Sequence, residues 1–197
     1  MLELIIYFLS LLNPFALFIY TLPLKKELGL RGYINVLTRA SVISYFIYLF
    51  FALFGSYFFD TVLKISFDSF RIFGGIVLVA FALSFIIQGK ESLVTTKGKL
   101  NRIASEVALP FMVGAGTITL SIVLGKQLTA ANSALALAVI MIINLLAVSL
   151  LAIFRHSLKA RLRSVLDENL EILLRINGFI VGAFGIDLIV TGLQNFF

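Results

Sequence analysis

The strongest constraint on this chain is a succession of long stretches that carry no charged side chain or only one. They cover residues 4–24, 40–59, 72–89, 107–125, 127–154 and 176–197. A helix that crosses the hydrocarbon core of a bilayer needs roughly 20 mostly apolar residues, which each stretch supplies. With 60% of its residues apolar and 13% charged, the chain as a water-soluble fold would expose too much apolar surface. The sequence therefore predicts an all-α integral membrane protein with six transmembrane helices.

The length leaves room for one membrane domain only. Six spans use about 120 residues, so we expect residues 1–197 to form a single six-helix domain. The chain has no cysteine and one histidine, His156, which disfavours thiol chemistry, disulfides and a zinc site. Because it also has no nucleophile–base–acid set and no phosphate-binding loop, we expect neither an enzyme nor a metal or organic cofactor.

The basic residues predict the orientation in the membrane. Of the 16 Lys and Arg residues, thirteen fall in or beside the loops that follow the first, third and fifth spans, and three fall on the other side. Cytoplasmic loops carry such an excess of basic residues. We therefore expect a multi-pass protein of the cell membrane with both termini outside, and we attribute the net charge of +6 to orientation instead of nucleic-acid binding.

Two short motifs recur along the chain. Residues 71–77 (RIFGGIV) match residues 175–181 (RINGFIV) at an offset of 104 positions, and Asn13-Pro14-Phe15 matches Leu109-Pro110-Phe111 at an offset of 96. Each half then holds three spans, so the second half enters the membrane in the opposite direction. The pattern indicates a 3+3 inverted repeat over about residues 1–90 and 102–197, as in many secondary transporters, although chance similarity between apolar segments is the alternative.

The same motifs carry a resemblance to a known family. Asn13-Pro14, residues 70–75 (FRIFGG), residues 109–119 (LPFMVGAGTIT) and residues 175–178 (RING) occur in the order and in the spans expected for it. With these motifs the chain resembles the MarC family of six-span membrane proteins, which includes SnatA-type transporters of small neutral amino acids. The resemblance implies a secondary transporter for substrates such as glycine, alanine or serine. The chain departs from the family at Asp187, where a Gln is frequent.

The proline and glycine motifs predict two broken helices, in the first and fourth spans. Pro14 lacks an amide hydrogen and clashes with the carbonyl four residues back, while Asn13 is a preferred N-cap. In the fourth span, Pro110 and the following glycines allow a second helix start. The two starts would direct free amide groups at a substrate carboxylate near the midplane. The predicted substrate-binding residues are Asn13, Pro14, Gly114, Ala115, Gly116, Thr117 and Thr119. Simple proline kinks with glycine packing are the alternative.

The sequence predicts roles for three further residues, all of them charged. Asp187 is the only acidic residue inside a predicted span. Since a charge there is costly, Asp187 is a candidate site for coupling to H⁺ or Na⁺, or else a structural acid. Arg71 and Arg175 occupy equivalent positions at the starts of the third and sixth spans. We expect both to anchor helix ends, with a gating role as the alternative.

These features favour a transporter with a midplane site between two discontinuous helices. The alternatives are a passive channel or exporter, which needs a continuous polar pore, and a structural membrane protein without transport activity. The expected partners are a small amino acid and the lipid bilayer, with no nucleic acid; a homo-oligomer is left open.

The orientation is directly testable. A small epitope tag at either terminus should be accessible to antibody in cells whose outer layers have been removed but whose cytoplasmic membrane is intact. The reason is that the basic loops stay in the cytoplasm, which places both termini outside. The check is labelling before and after permeabilisation of the cytoplasmic membrane. A tag that is labelled only after permeabilisation would contradict the predicted orientation.

Overall fold

The computed structural model describes residues 2–89 and 112–196, which are helical and contain no β-strand. We number the helices α1 (Leu2–Leu12), α2 (Pro14–Tyr57), α3 (Phe67–Gln88), α4 (Ala115–Gln127), α5 (Ala130–Ser157) and α6 (Ala160–Phe196). A π-helical segment, Phe58–Leu63, follows α2 directly. The predicted motif residues Leu109, Pro110 and Phe111, and the basic residues Lys90, Lys97, Lys99 and Arg102, lie outside the described residues.

Four stretches of the described chain are long and apolar enough to cross a membrane. They are Leu2–Leu63, Phe67–Gln88, Ala130–Ser157 and Ile172–Asn195. The prediction of an all-helical, multi-pass membrane protein is confirmed at this level. The last three stretches lie within a few residues of the predicted third, fifth and sixth spans, whereas the predicted first and second spans both fall within Leu2–Leu63.

Helix α2 reverses direction at Gly29. This residue has φ 67° and ψ 176°, a conformation that is essentially restricted to glycine. The Thr21 hydroxyl lies 2.8 Å from the Tyr33 hydroxyl, although twelve residues of straight helix would span about 18 Å. The rings of Phe8 and Tyr48 also meet, with centroids 5.1 Å apart. Residues 14–28 and 30–57 are therefore two antiparallel arms, and Leu2–Leu63 passes back on itself.

Helices α3 and α6 are antiparallel and very closely packed. A Cβ atom at Gly75 would lie 2.5 Å from the Gly185 carbonyl oxygen, and one at Gly185 would lie 2.8 Å from that of Gly75. Further along, a Cβ at Gly178 would lie 3.0 Å from the Ala82 carbonyl oxygen. Lipid tails are as apolar as leucine, so helices in a membrane associate through such close contact between small residues. Gly75 and Gly178, one from each copy of the repeated motif, thus serve the same interface.

The second arm of α2 packs against α5 and α4. The Tyr45 hydroxyl donates to the Ala134 carbonyl at 3.5 Å, and a Cβ atom at Gly125 of α4 would collide with the Ala52 carbonyl. At one end of the bundle, Lys25 Nζ donates to the Ala152 carbonyl, and Arg155 is buried close by in sequence. Basic residues from the first and fifth predicted loops therefore lie at the same end, which is the distribution that a positive-inside orientation requires.

Replacing Gly29 with alanine should destabilise the fold. A side chain has open space there, since no atom lies within 4 Å of an added Cβ. The penalty is therefore conformational and should amount to about 1–3 kcal/mol. We expect the apparent melting temperature of the detergent-solubilised protein, followed by circular dichroism, to fall. Gly114→Ala is the matched control, because Gly114 also has open space but a permitted φ of −115°. Equal melting temperatures for both variants would show that the turn tolerates a side chain.

Candidate functional site

The first helix junction is built around Asn13. Helix α1 ends at Leu12, Asn13 adopts the left-handed conformation with φ 45° and ψ 75°, and α2 begins at Pro14. Asparagine tolerates this conformation better than most residues. Its Oδ1 accepts a hydrogen bond from the Ala16 amide at 3.1 Å. The side chain thus satisfies an amide in the first turn of α2 that has no partner within the helix.

Asn13 also belongs to a polar chain that joins the junction to α6. Its Nδ2 donates to Asn177 Oδ1, and Asn177 Nδ2 donates to the Tyr20 hydroxyl. Asn177 is only 3% exposed. Asn177 was not among the site residues predicted from the sequence, because it stands at a position where the two copies of the repeated motif differ. The available signal was the change from Phe73 in the first copy to an amide in the second.

The second helix junction lies at the start of α4. Gly114 is the N-cap, with φ −115° and ψ 172°. Thr117 Oγ1 accepts from the Gly114 amide at 3.0 Å and lies within hydrogen-bonding distance of the carbonyls of Met112 (3.1 Å) and Gly114 (2.9 Å). Ala115 packs directly against Gly74 of α3. Thr117 therefore holds the helix start in place, and the first amides of α4 have no partner within the helix and carry partial positive charge.

A cavity of about 240 Å³, which we call the Asp187 cavity, lies between α1, α3, α4 and α6. Its walls combine four of the predicted site residues with two further polar residues and six apolar ones. They are Arg71, Gly116, Thr119 and Asp187; Tyr7 and Thr191; and Leu4, Leu11, Leu120, Val123, Phe184 and Leu188. The fold thus brings together residues that are up to 187 positions apart in the sequence, with opposite charges at Arg71 and Asp187.

The polar groups of the Asp187 cavity are incompletely bonded. Arg71 is 9% exposed and Thr119 is 5% exposed, yet Arg71 Nε and Thr119 Oγ1 have no hydrogen-bond partner. Leaving a buried polar group unpaired costs about 1–3 kcal/mol, so such groups require an explanation, for which a ligand is one candidate. Asp187 accepts only a long hydrogen bond, 3.4 Å, from the Tyr7 hydroxyl.

Arg71 is held in position from its own helix. Its Nη1 donates to Asp68 Oδ1 at 3.2 Å, and its guanidinium carbon lies 5.2 Å from the centre of the Phe67 ring. Asp68 Oδ1 also accepts from Asn195 Nδ2 at 3.3 Å, which links this cluster to α6. Although Arg71 and Asp187 share the cavity wall, the described residues show no direct ion pair between them.

The remaining predicted residues lie elsewhere. Asn13 lines a smaller cavity of about 70 Å³, which shares Leu11 and Phe184 with the Asp187 cavity. Pro14 faces an apolar groove against α5. Arg175 is exposed and lines neither cavity. The structure therefore groups Gly116, Thr119, Arg71 and Asp187, and it separates them from Asn13, Pro14 and Arg175.

Comparison with known proteins confirms the resemblance drawn from the motifs. The model of a family described as MarC family integral membrane proteins matches residues 1–197. A UPF0056 membrane protein of Aquifex aeolicus is 27% identical over 198 residues, which cover 95% of this chain and 89% of the relative. The UPF0056 membrane protein YhcE of Escherichia coli is 32% identical over 148 residues, 70% of this chain and 67% of the relative.

A third relative comes from an archaeon. A UPF0056 membrane protein of Pyrococcus horikoshii is 25% identical over 187 residues, which cover 93% of this chain and 88% of the relative. No solved structure matches the chain. The similarity therefore extends over nearly the whole chain.

Proposed function

The chain belongs to the MarC family of integral membrane proteins, and we propose that it is a secondary transporter of small neutral amino acids of the glycine, alanine and serine type. The observation that carries this proposal is the Asp187 cavity, whose wall combines the exposed Asp187 with two buried residues, Arg71 and Thr119, that each have an unpaired polar atom. Ionisable residues within membrane-spanning segments are costly and mark substrate or ion pathways. A transporter, and not an enzyme, is the function that this arrangement supports best.

The dimensions and chemistry of the cavity favour a small polar substrate. Its volume of about 240 Å³ is below the roughly 300–1,000 Å³ typical of sites for drug-sized ligands. Leu11, Phe184 and Leu188 form apolar walls, so the space beside the polar groups suits a short aliphatic side chain. The start of α4, near Gly116, adds the partial positive charge of a helix N-terminus.

The proposed architecture is six transmembrane helices in a 3+3 inverted repeat, with both termini outside the cell membrane. Three observations support it. The helices that carry the two copies of the repeated motif, α3 and α6, are antiparallel, as an inverted repeat demands. Helix starts follow Asn13 and Gly114, which belong to the first and fourth predicted spans. The reversal at Gly29 allows two spans within Leu2–Leu63.

Gly116 offers a sharp test of the proposed site. A Cβ at this position would lie 2.5 Å from Leu11 Cδ2 and 3.3 Å from Leu188 Cδ1, both in the cavity wall. Gly116→Val should therefore narrow the cavity and weaken alanine binding by about 10- to 100-fold, equivalent to losing one charge-assisted hydrogen bond. Binding is measured on purified, monodisperse protein by calorimetry.

Gly114→Ala is the matched control, because Gly114, although the sequence predicted it to bind substrate, does not line the Asp187 cavity, and a Cβ there meets no atom within 4 Å. It should bind alanine like the unmodified protein. In liposomes, the unmodified protein should show saturable alanine counterflow, a property of carriers that a passive channel lacks. Flux without counterflow would support the channel, and the absence of both flux and binding would support a structural role.

A further inference from the structure

From the geometry of the Asp187 cavity we infer that it recognises a zwitterion, with Arg71 holding the carboxylate and Asp187 the ammonium group. The inference rests on the proposed transport function and specifies which groups of the substrate the site binds. It also gives Asp187 a role other than the coupling-ion role and the structural role that the sequence leaves open. Recognition then requires both charged groups of the amino acid at once.

Arg71 meets the requirements of a carboxylate-binding residue. Asp68 contacts one edge of the guanidinium, and the Phe67 ring contacts one face. The Nε–H group has no hydrogen-bond partner, although the residue is nine-tenths buried. Guanidinium groups bind carboxylates through parallel hydrogen bonds and remain charged at every physiological pH. A substrate carboxylate at this edge would satisfy the unpaired nitrogen.

Thr119 and the start of α4 extend the same positive region. Thr119 is 5% exposed, and its enclosed hydroxyl has no hydrogen-bond partner, so a rotation of this side chain toward the cavity would let it donate to a second carboxylate oxygen. Gly116 brings the first turn of α4 to the cavity wall without a side chain. The carboxylate would therefore meet a guanidinium, a hydroxyl and the positive end of a helix dipole.

Asp187 supplies the complementary charge. Its carboxylate lines the same cavity and has one long hydrogen bond, to Tyr7, which leaves most of its acceptor capacity unused. An ammonium group has three donors and no acceptor, so it matches this carboxylate and the Tyr7 oxygen. Arg71 is paired with Asp68 through Nη1 and makes no direct ion pair with Asp187, so a zwitterion can bridge Arg71 and Asp187 without breaking a bond between them.

The first test uses ligands that lack one charge. Alanine, propionate, ethylamine and alaninamide share a similar size, but only alanine carries both a carboxylate and an ammonium group. The unmodified purified protein should bind alanine about 10- to 100-fold more tightly than the other three, since each of them lacks one charge-assisted contact that alanine makes. Alaninamide or propionate binding as tightly as alanine would overturn the inference.

The second test assigns each charge to its residue. Asp187→Asn should weaken alanine binding by at least tenfold and leave propionate binding unchanged or stronger. Arg71→Gln should weaken alanine binding without weakening ethylamine binding, and Arg71→Lys should restore part of the alanine affinity. Asp60→Asn and Arg39→Gln are the matched controls, because they remove exposed charges outside the cavity and should bind alanine normally.

The outcomes separate this inference from the proposed function. If Asp187→Asn binds alanine like the unmodified protein but loses the Na⁺ or pH dependence of transport, Asp187 is a coupling site and the inference is wrong, while the transport proposal stands. If the unmodified protein binds no small amino acid and shows no counterflow, the proposed function itself fails. Each variant should elute as a monodisperse peak, which would show that a loss of binding does not come from a folding defect. Arg71→Lys is the milder change and serves the same purpose.

Discussion

Every feature of this molecule depends on one constraint, which is that a backbone polar group in the hydrocarbon core must find its partner within the protein. Regular helices satisfy this rule, and a helix can end inside the membrane only where side chains replace the lost partners. Asn13 does so at the first junction, where its Oδ1 binds the Ala16 amide. Thr117 does so at the second, where its hydroxyl binds Gly114. The helix ends that remain available to a ligand are therefore few and specifically placed.

The lipid environment also explains why the proposed site forms between α3, α4 and α6. Lipid provides no hydrophobic force that would drive helices together, so contact depends on small residues such as Gly75 and Gly185. That close approach brings Arg71 of α3 and Asp187 of α6 to the wall of one cavity, while α1 closes it with Tyr7. Polar residues excluded from the lipid are thereby gathered around a shared space, which is the substrate site that we propose.

Much of the fold follows from the sequence, and the site follows from it only in part. The charge-free stretches predicted an all-helical membrane protein, which is confirmed, and helices start after Asn13 and Gly114, within the motifs from which two broken helices were predicted. The grouping of residues was harder, because Tyr7 and Asp187 lie 180 positions apart and no periodicity connects them. Arg71 was expected to anchor a helix end, and its contact with Asp68 agrees with that, but its unpaired Nε is visible only in three dimensions. Asn177 was missed for the same reason.

The most direct test of the central claim, that the Asp187 cavity holds the substrate, uses the absence of cysteine from the chain. A single cysteine at Thr191, in the cavity wall, can be alkylated, and the rate is measured with and without alanine. The account predicts that alanine slows alkylation of Thr191→Cys in a saturable manner and leaves the exposed Ser157→Cys unaffected. Equal rates at Thr191→Cys, at an alanine concentration that saturates transport, would place the substrate elsewhere and contradict the account.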